Sequence, residues 1–354
     1  MRSVLAVRLD SAGDVLLMGP AVRALARDAD VVDLLVSPRG AEAAALLPGV
    51  DEVVEFDAPW AGVPAASFDT TAVNMLVERI AGRGYEEAVV FTSYHQSPLP
   101  MALLLRLAGV RVVVADCDDY PGSLLDVRHR RSGDGTDDDG SASGGHEVAA
   151  ALGLAAAAGH RLPRSDDARL RLREPLPPAP PGLPAQPYVV VHPGAAASAR
   201  GIPAAQARSM ASALADQGWA IVVTGGPGER QVAKEVASPH GCNLAGRTTL
   251  AELATVLRGA EALVVGNTGP AHLAAAVGTP VVSLFAPVVP AVRWEPWKVP
   301  CVLLGDQQAR CAGTRARTCP VPGHPCLADV GAAEVVAAVQ ALAGAPGRPG
   351  RRAS

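Results

Sequence analysis

The chain has 354 residues, of which 49% are hydrophobic, 19% charged and only 3% aromatic, with a formal net charge of -4. At roughly 150 residues per domain this length predicts two domains, with cores built from Ala, Val and Leu rather than from rings. The slightly acidic balance argues against a protein whose main task is gripping nucleic acid, which usually takes a basic face. The apolar content excludes a chain disordered throughout.

Apolar, β-branched runs alternate with helical patterns from the start. In the first half, strands are predicted at Ser3–Arg8, Val31–Val36, 52–56, 86–92 and 110–115, with helices at 15–27 and Leu99–Leu107. Residues 128–145 open with Arg and His and continue into Asp, Gly and Ser, which predicts a mobile loop. Residues 174–187 are so rich in proline that neither helix nor sheet can form, so they read as an interdomain linker. The second half gives strands at Tyr188–His192, 220–224, 263–266 and 280–284, with helices at 204–217, 228–237, Leu250–Arg258 and 271–277. Residues 343–354 are rich in Pro, Gly and Arg and are expected to be a disordered tail.

Near-continuous apolar strands separated by helices predict parallel sheets covered on both faces. The expected organisation is therefore two α/β, Rossmann-like doubly wound domains, 1–173 and 188–342. Each opens alike, with a strand, a small-residue turn and a helix. Ligands of such sheets sit beyond the carboxyl ends of the strands. The cleft between the two domains is thus the expected active site.

The N-terminus lacks the apolar core of a signal peptide. The uncharged run 262–292 is long enough to span a membrane, but Pro270, Pro280, Pro287 and Pro290 rule out a spanning helix. A cytoplasmic monomer is expected, with peripheral contact at the inner face of the membrane left open. Lys234 and Lys298 are the only lysines, so an anion-binding cation here should be Arg.

The segment Gly266-Asn-Thr-Gly-Pro-Ala-His272 follows one strand and opens a helix. Gly269 lets a ligand approach the backbone, and the N–H groups of the first helical turn suit a phosphate. Thr268 can cap the helix or donate to phosphate oxygen. An ordinary strand-to-helix turn has the same look. The segment Thr224-Gly-Gly-Pro-Gly-Glu229 lacks the Lys-Ser/Thr pair of a P-loop. Glu229 either satisfies the helix dipole or accepts from ribose hydroxyls. Arg200 follows a small-residue loop and could clamp a pyrophosphate. Asp14, after Gly13, is either a helix cap or a general base, and Asp10 competes with it.

Asp116-Cys-Asp118 matches a loose metal pattern shared by many acidic turns, and 137–140 fails the EF-hand spacing. Cys301, Cys311, Cys319 and Cys326 cluster late with His324, but no Cys-x2-Cys knuckle is present. Free structural thiols, or one adventitious disulfide, are favoured over a metal.

Together these segments resemble glycosyltransferase family 9, the ADP-heptose:lipopolysaccharide heptosyltransferases and their relatives. The resemblance rests on Val4 to Val15, His192-Pro-Gly, Thr224 to Glu229, Asn243-Leu-Ala-Gly-Arg-Thr248, Gly266 to Leu273 and Gly278 to Phe285, in that order. It implies a GT-B fold and inverting transfer from a nucleotide-diphosphate sugar to a glycan or glycolipid acceptor, with no metal required. It implies Asp14 as the general base supported by Gly13. The donor would be held by Arg200, Gly226, Glu229, Asn267, Thr268, Gly269 and His272. Two departures stand out. Arg200 falls near a family Lys, and Asn267 replaces the Asp that many members carry before Thr-Gly. A sugar-nucleotide epimerase or hydrolase, or a non-catalytic sugar-nucleotide binder, are the competing readings.

Overall fold

A computed structural model describes residues 2–62, 64–93, 96–131, 145–237 and 241–346. The chain divides into two units, Met1–Arg173 and Glu174–Ser354.

The first unit is built on six parallel strands: β1 (Ser3–Arg8), β2 (Val31–Val36), β3 (Val53–Glu55), β4 (Glu87–Val90), β5 (Val112–Asp116) and β6 (Val127–His129). They lie in the order β3-β2-β1-β4-β5-β6. β1 pairs with β2 on one side and β4 on the other, with Val4 opposite both Val32 and Glu87. The period-2 geometry of a strand sends its side chains to two faces. Leu5 and Val7 join Leu35, Val90, Met101, Leu105 and Ile80 in one core, while Val4 and Ala6 are buried as well. Each such Val or Leu contributes about 1.5–3 kcal/mol by leaving water. Helix Thr70–Arg83 is stopped at both ends by local chemistry. Asp69 accepts the Thr71 and Ala72 N–H groups at 2.8 and 3.2 Å, and Gly84 takes the left-handed turn at φ 64°.

The second unit repeats the plan with β7 (Tyr188–His192), β8 (Ala220–Val223), β9 (Cys242–Asn243), β10 (Ala262–Gly266), β11 (Val281–Leu284) and β12 (Cys301–Leu304). Their order is β12-β11-β10-β7-β8-β9, again all parallel. Val189, Val191, Val264 and Val282 pack against Met210 and Leu214 on one helix and Val335 and Val339 on another. Both sheets follow the doubly wound order in which the first strand of each half sits beside the fourth. The chain therefore leaves β1 and β4, and β7 and β10, in opposite directions, and a crevice opens at the carboxyl ends of each pair.

Several expectations are corrected. The helix read at 15–27 is two helices, Ala12–Leu17 and Gly19–Asp28, broken at Met18 because Pro20 stands in the first turn of the second. Residues 128 and 129 belong to a strand rather than to a loop. β6 runs from Val127 to His129, the Arg128 guanidinium donates to the Cys117 and Asp118 carbonyls, and Arg131 pairs with Asp116 and Glu147. Most of the expected loop, 132–144, lies outside the described residues. The proline-rich segment 174–187 runs along the second unit: the Thr255 hydroxyl donates to the Pro177 carbonyl at 2.7 Å and the Cys242 thiol to that of Gly182 at 3.2 Å. Ala343 ends helix Ala332–Ala343, and 347–354 of the expected tail lie outside the described residues. The apolar run 262–292, by contrast, is no single helix, as expected: it holds a strand, a helix, a strand and the start of helix Ala291–Trp294, and no described helix is long and apolar enough to cross a membrane.

Candidate active site

In the first unit the carboxyl end of β1 delivers Arg8 into a buried cluster of charge. Its Nε lies 2.7 Å from Asp10, and its Nη2 lies 3.6 Å from Asp14 and 3.4 Å from Glu147. Arg8 also donates to the Ser93 hydroxyl at 3.1 Å and the Thr92 carbonyl at 3.4 Å. Only 2% of its side chain is exposed. Such a cation is tolerated because carboxylates and hydrogen-bond acceptors surround it. Glu147, fully buried at the start of helix Glu147–Ala157, is shared between Arg8 and Arg131, the latter at 2.7 Å.

The two competing aspartates have different surroundings. Asp10 accepts from Gln96 at 2.5 Å and from Ser93 at 3.2 Å besides pairing with Arg8. Burial pushes its carboxyl up, and Arg8 pulls the other way. Asp14 sits in the first turn of helix Ala12–Leu17, beside buried Gly13. One of its carboxylate oxygens accepts from the Ser11 hydroxyl at 2.7 Å and the Ser11 N–H at 3.3 Å. Its side chain is 20% exposed, against 9% for Asp10. Of the two, Asp14 is the one a ligand can reach, and its orientation is fixed from both ends. Asp116 of the acidic turn is committed to Arg131 and His129.

In the second unit the candidate residues gather at the carboxyl ends of β7, β8 and β10. β7 ends at His192, and the chain then runs through Gly194 to the 3₁₀ turn Ser198–Arg200. The Arg200 carbonyl lies on Gly266, where an added Cβ would come within 2.0 Å of it. Only glycine permits that approach between the loops after β7 and β10. The Glu229 carboxylate folds over Gly194, where a Cβ would meet it at 1.8 Å, and it accepts the Gly226 N–H at 2.6 Å. Gly226 thus holds Glu229, and Glu229 stands 3.9 Å from His192 Nε2.

Asn267 has both ends of its amide engaged by one residue: Nδ2 donates to the Ala286 carbonyl and Oδ1 accepts the Ala286 N–H, each at 3.2 Å. It ties the loop after β10 to the loop after β11. Thr268 caps helix Gly269–Val277 with extended backbone (φ -146°, ψ 171°) and no side-chain cap bond, and Gly269 opens the helix beside Pro270. Thr268 and Gly269 are half-buried and His272, one turn on, is buried. This helix start can receive an anion through its N–H groups and dipole.

Some participants were not singled out from sequence. His192 is buried, shares a 3.0 Å hydrogen bond with Thr224 Oγ1 through Nδ1, and is held below its ordinary pKa by burial, with Glu229 opposing. Its place in a His-Pro-Gly segment after a strand was the available signal. Arg8, Arg131 and Glu147 gave none. The late cysteines are free thiols, and among the described residues no group of three or more His, Cys, Asp or Glu side chains could hold a metal. Burial, and then Cys311 and Cys319, push the Cys326 thiol up to about 12.

The comparisons with known proteins agree in direction. Residues 147–324 match glycosyltransferase family 9 (heptosyltransferase). Lipopolysaccharide heptosyltransferase 3 of Escherichia coli is 31% identical over 163 residues, 44% of this chain and 47% of that protein. Lipopolysaccharide heptosyltransferase 1 of Pseudomonas aeruginosa is 37% identical over 120 residues, 33% of each. The matched stretch spans less than half the length of these curated relatives. The E. coli heptosyltransferase WaaC with ADP superposes with a TM-score of 0.67 at 19% identity, covering 97% of this chain and 99% of that one, which shows the shared GT-B fold of two Rossmann-like domains. With a match over half its length and the same fold, the chain belongs to glycosyltransferase family 9.

Proposed function

We propose that the protein is an inverting glycosyltransferase. It moves a heptose or related sugar from a nucleotide-diphosphate donor resembling ADP-heptose to a hydroxyl of an envelope glycan or other glycoconjugate. Family membership supports the reaction class, and the curated relatives are named as heptosyltransferases acting on lipopolysaccharide. The observation that carries the assignment of roles is Asp14, reachable and oriented by Ser11 beside buried Arg8.

Asp14 accepts the proton of the acceptor hydroxyl as its oxygen bonds to the anomeric carbon. The bond from that carbon to the donor phosphate breaks, and its electron pair leaves on the diphosphate. Arg200 and the helix start at Thr268–Gly269 stabilise that charge, a form of preorganised electrostatics that costs no rearrangement during reaction. Gly226, Glu229, Asn267 and His272 shape the nucleotide end, Asn267 by holding its loop. No metal is required in this scheme. The enzyme works as a monomer on the cytoplasmic side, meeting its acceptor at the inner face of the membrane.

The test is a thermal-shift panel of ADP-, GDP-, UDP- and dTDP-sugars, followed by transfer to a supplied acceptor. A donor at 100 times its Kd adds about 2.7 kcal/mol of apparent stability. Stabilisation by one donor class and sugar transfer are expected. No stabilisation by any donor, or release of free sugar with no transfer product, would overturn the reading.

A further inference from the structure

The segment 311–326, which ends in the first turn of helix Pro325–Ala328, has no part in the assignments above, yet it grips the segment that carries Arg200. The Ala199 N–H donates to the Arg317 carbonyl at 3.0 Å, and the Ser198 hydroxyl donates to the same oxygen at 3.3 Å. The Arg317 guanidinium returns a bond to the Ala196 carbonyl at 2.9 Å. His324 Nε2 lies 3.0 Å from the Ala199 carbonyl. A carbonyl only accepts, so Nε2 carries the proton and donates. With the Arg200 carbonyl resting on Gly266, the short turn Ser198–Arg200 is braced both from beneath and from the side.

The brace itself is anchored and strained. Cys311 and Cys326 are buried in the second core, with Cys319 packed against it. His324 adopts φ 52°, a left-handed conformation that a residue with a Cβ rarely takes. Such strain persists where the surroundings over-determine it, and it gathers at functional sites. Its imidazole bond to Ala199 is a reason for a histidine where glycine would be easier.

We propose that Arg317 and His324 are positioning residues for Arg200, fixing the 196–200 turn so that the guanidinium meets the donor diphosphate while neither touches the nucleotide. This rests on the phosphate-binding reading of Arg200. Because that reading can fail by itself, the experiment separates the two.

Wild type, Arg200→Ala, Arg317→Ala, His324→Gly and the double variant Arg200→Ala/His324→Gly are titrated with ADP and AMP by calorimetry, with GDP, UDP and dTDP run alongside to fix the base. His324→Gly relieves the left-handed backbone, and Arg317 is exposed, so both variants should melt as wild type does. Arg200→Ala is expected to weaken diphosphate binding by about 10-fold or more, the usual scale for a charge-assisted bond. His324→Gly and Arg317→Ala are each expected to weaken it by about 3-fold or more and to narrow the preference for ADP over AMP. The double variant should bind no more weakly than Arg200→Ala alone, since residues acting through one group are not additive. Wild-type affinity in His324→Gly and Arg317→Ala beside a weakened Arg200→Ala, or full additivity in the double variant, overturns the positioning role. Wild-type affinity in Arg200→Ala, or no binding of any diphosphate by wild type, overturns the phosphate reading and this proposal with it.

Discussion

The Arg8 guanidinium stands 3.6 Å from the Asp14 carboxylate and 2.7 Å from that of Asp10, so one buried cation serves two acids of different exposure. Asp10 is closed in by Ser93 and Gln96, whereas Asp14 is turned by Ser11 at the helix start. Substituting them should therefore divide structure from chemistry. Asp10→Asn breaks a buried ion pair and is expected to cost about 3–5 kcal/mol of stability. Asp14→Asn keeps a capping side chain and is expected to cost about 1 kcal/mol or less. Urea unfolding of the two variants, followed by circular dichroism, measures the difference.

His192 gives a pH dependence with a definite sign. Burial holds its pKa below the ordinary value, with Glu229 opposing, so the folded protein keeps it neutral. As pH falls through about 6.5 the unfolded chain takes up the proton first. The unfolded state then binds more protons, and stability declines with acidification. His192→Gln removes this contribution. Between pH 7.5 and 5.5 the wild-type unfolding midpoint should fall further than that of the variant, and equal falls would contradict the assignment.

Two glycines make contrasting cases. At Gly266 a Cβ meets the Arg200 carbonyl at 2.0 Å, a backbone atom that must move. At Gly194 it meets the Glu229 carboxylate at 1.8 Å, the far end of a flexible side chain. Gly266→Ala is expected to cost about 1–3 kcal/mol, the usual scale for forcing atoms into a packed site. Gly194→Ala should leave stability nearly unchanged and alter nucleotide affinity by displacing Glu229. Melting curves with and without ADP compare the two.

Asn267→Asp would restore the acid that many family members carry, yet here it replaces a donor with an oxygen facing the Ala286 carbonyl. A loss of about 1–3 kcal/mol is expected, the cost of a buried carbonyl left without its donor. Differential scanning calorimetry at pH 7 provides the check.

Most strands of both sheets were legible because runs such as Tyr188–His192 and Ala262–Gly266 are buried along their whole length and carry a near-continuous apolar signal. β6, β9 and β12 were not, and β9 is only the two half-buried residues Cys242–Asn243 at the edge of its sheet. Val127–His129 is a half-buried edge with Arg and His in it, and Cys301–Leu304 is another partly exposed edge. The break at Met18 was readable in principle from Gly19-Pro20, whose consequence the apolar periodicity masked. The turn at Thr268–Gly269 and Asp14 were singled out by their place between a strand and a helix, and the roles proposed for them came from the family resemblance. The charge cluster was not, because Arg8 and Glu147 are 139 positions apart and only the sheet order brings them together. Asn267 shows the remaining gap: its residue type suggested contact with the donor, while its bonds to Ala286 depend on a neighbouring strand that the local motif does not include.

The most direct measurement is turnover and donor affinity of Asp14→Asn side by side with wild type. A fall in turnover of about 10²-fold or more, with donor Kd unchanged, is the expected result for loss of a general base. Turnover close to wild type, with the protein folded and the donor bound, would contradict the assignment of Asp14 to the chemistry.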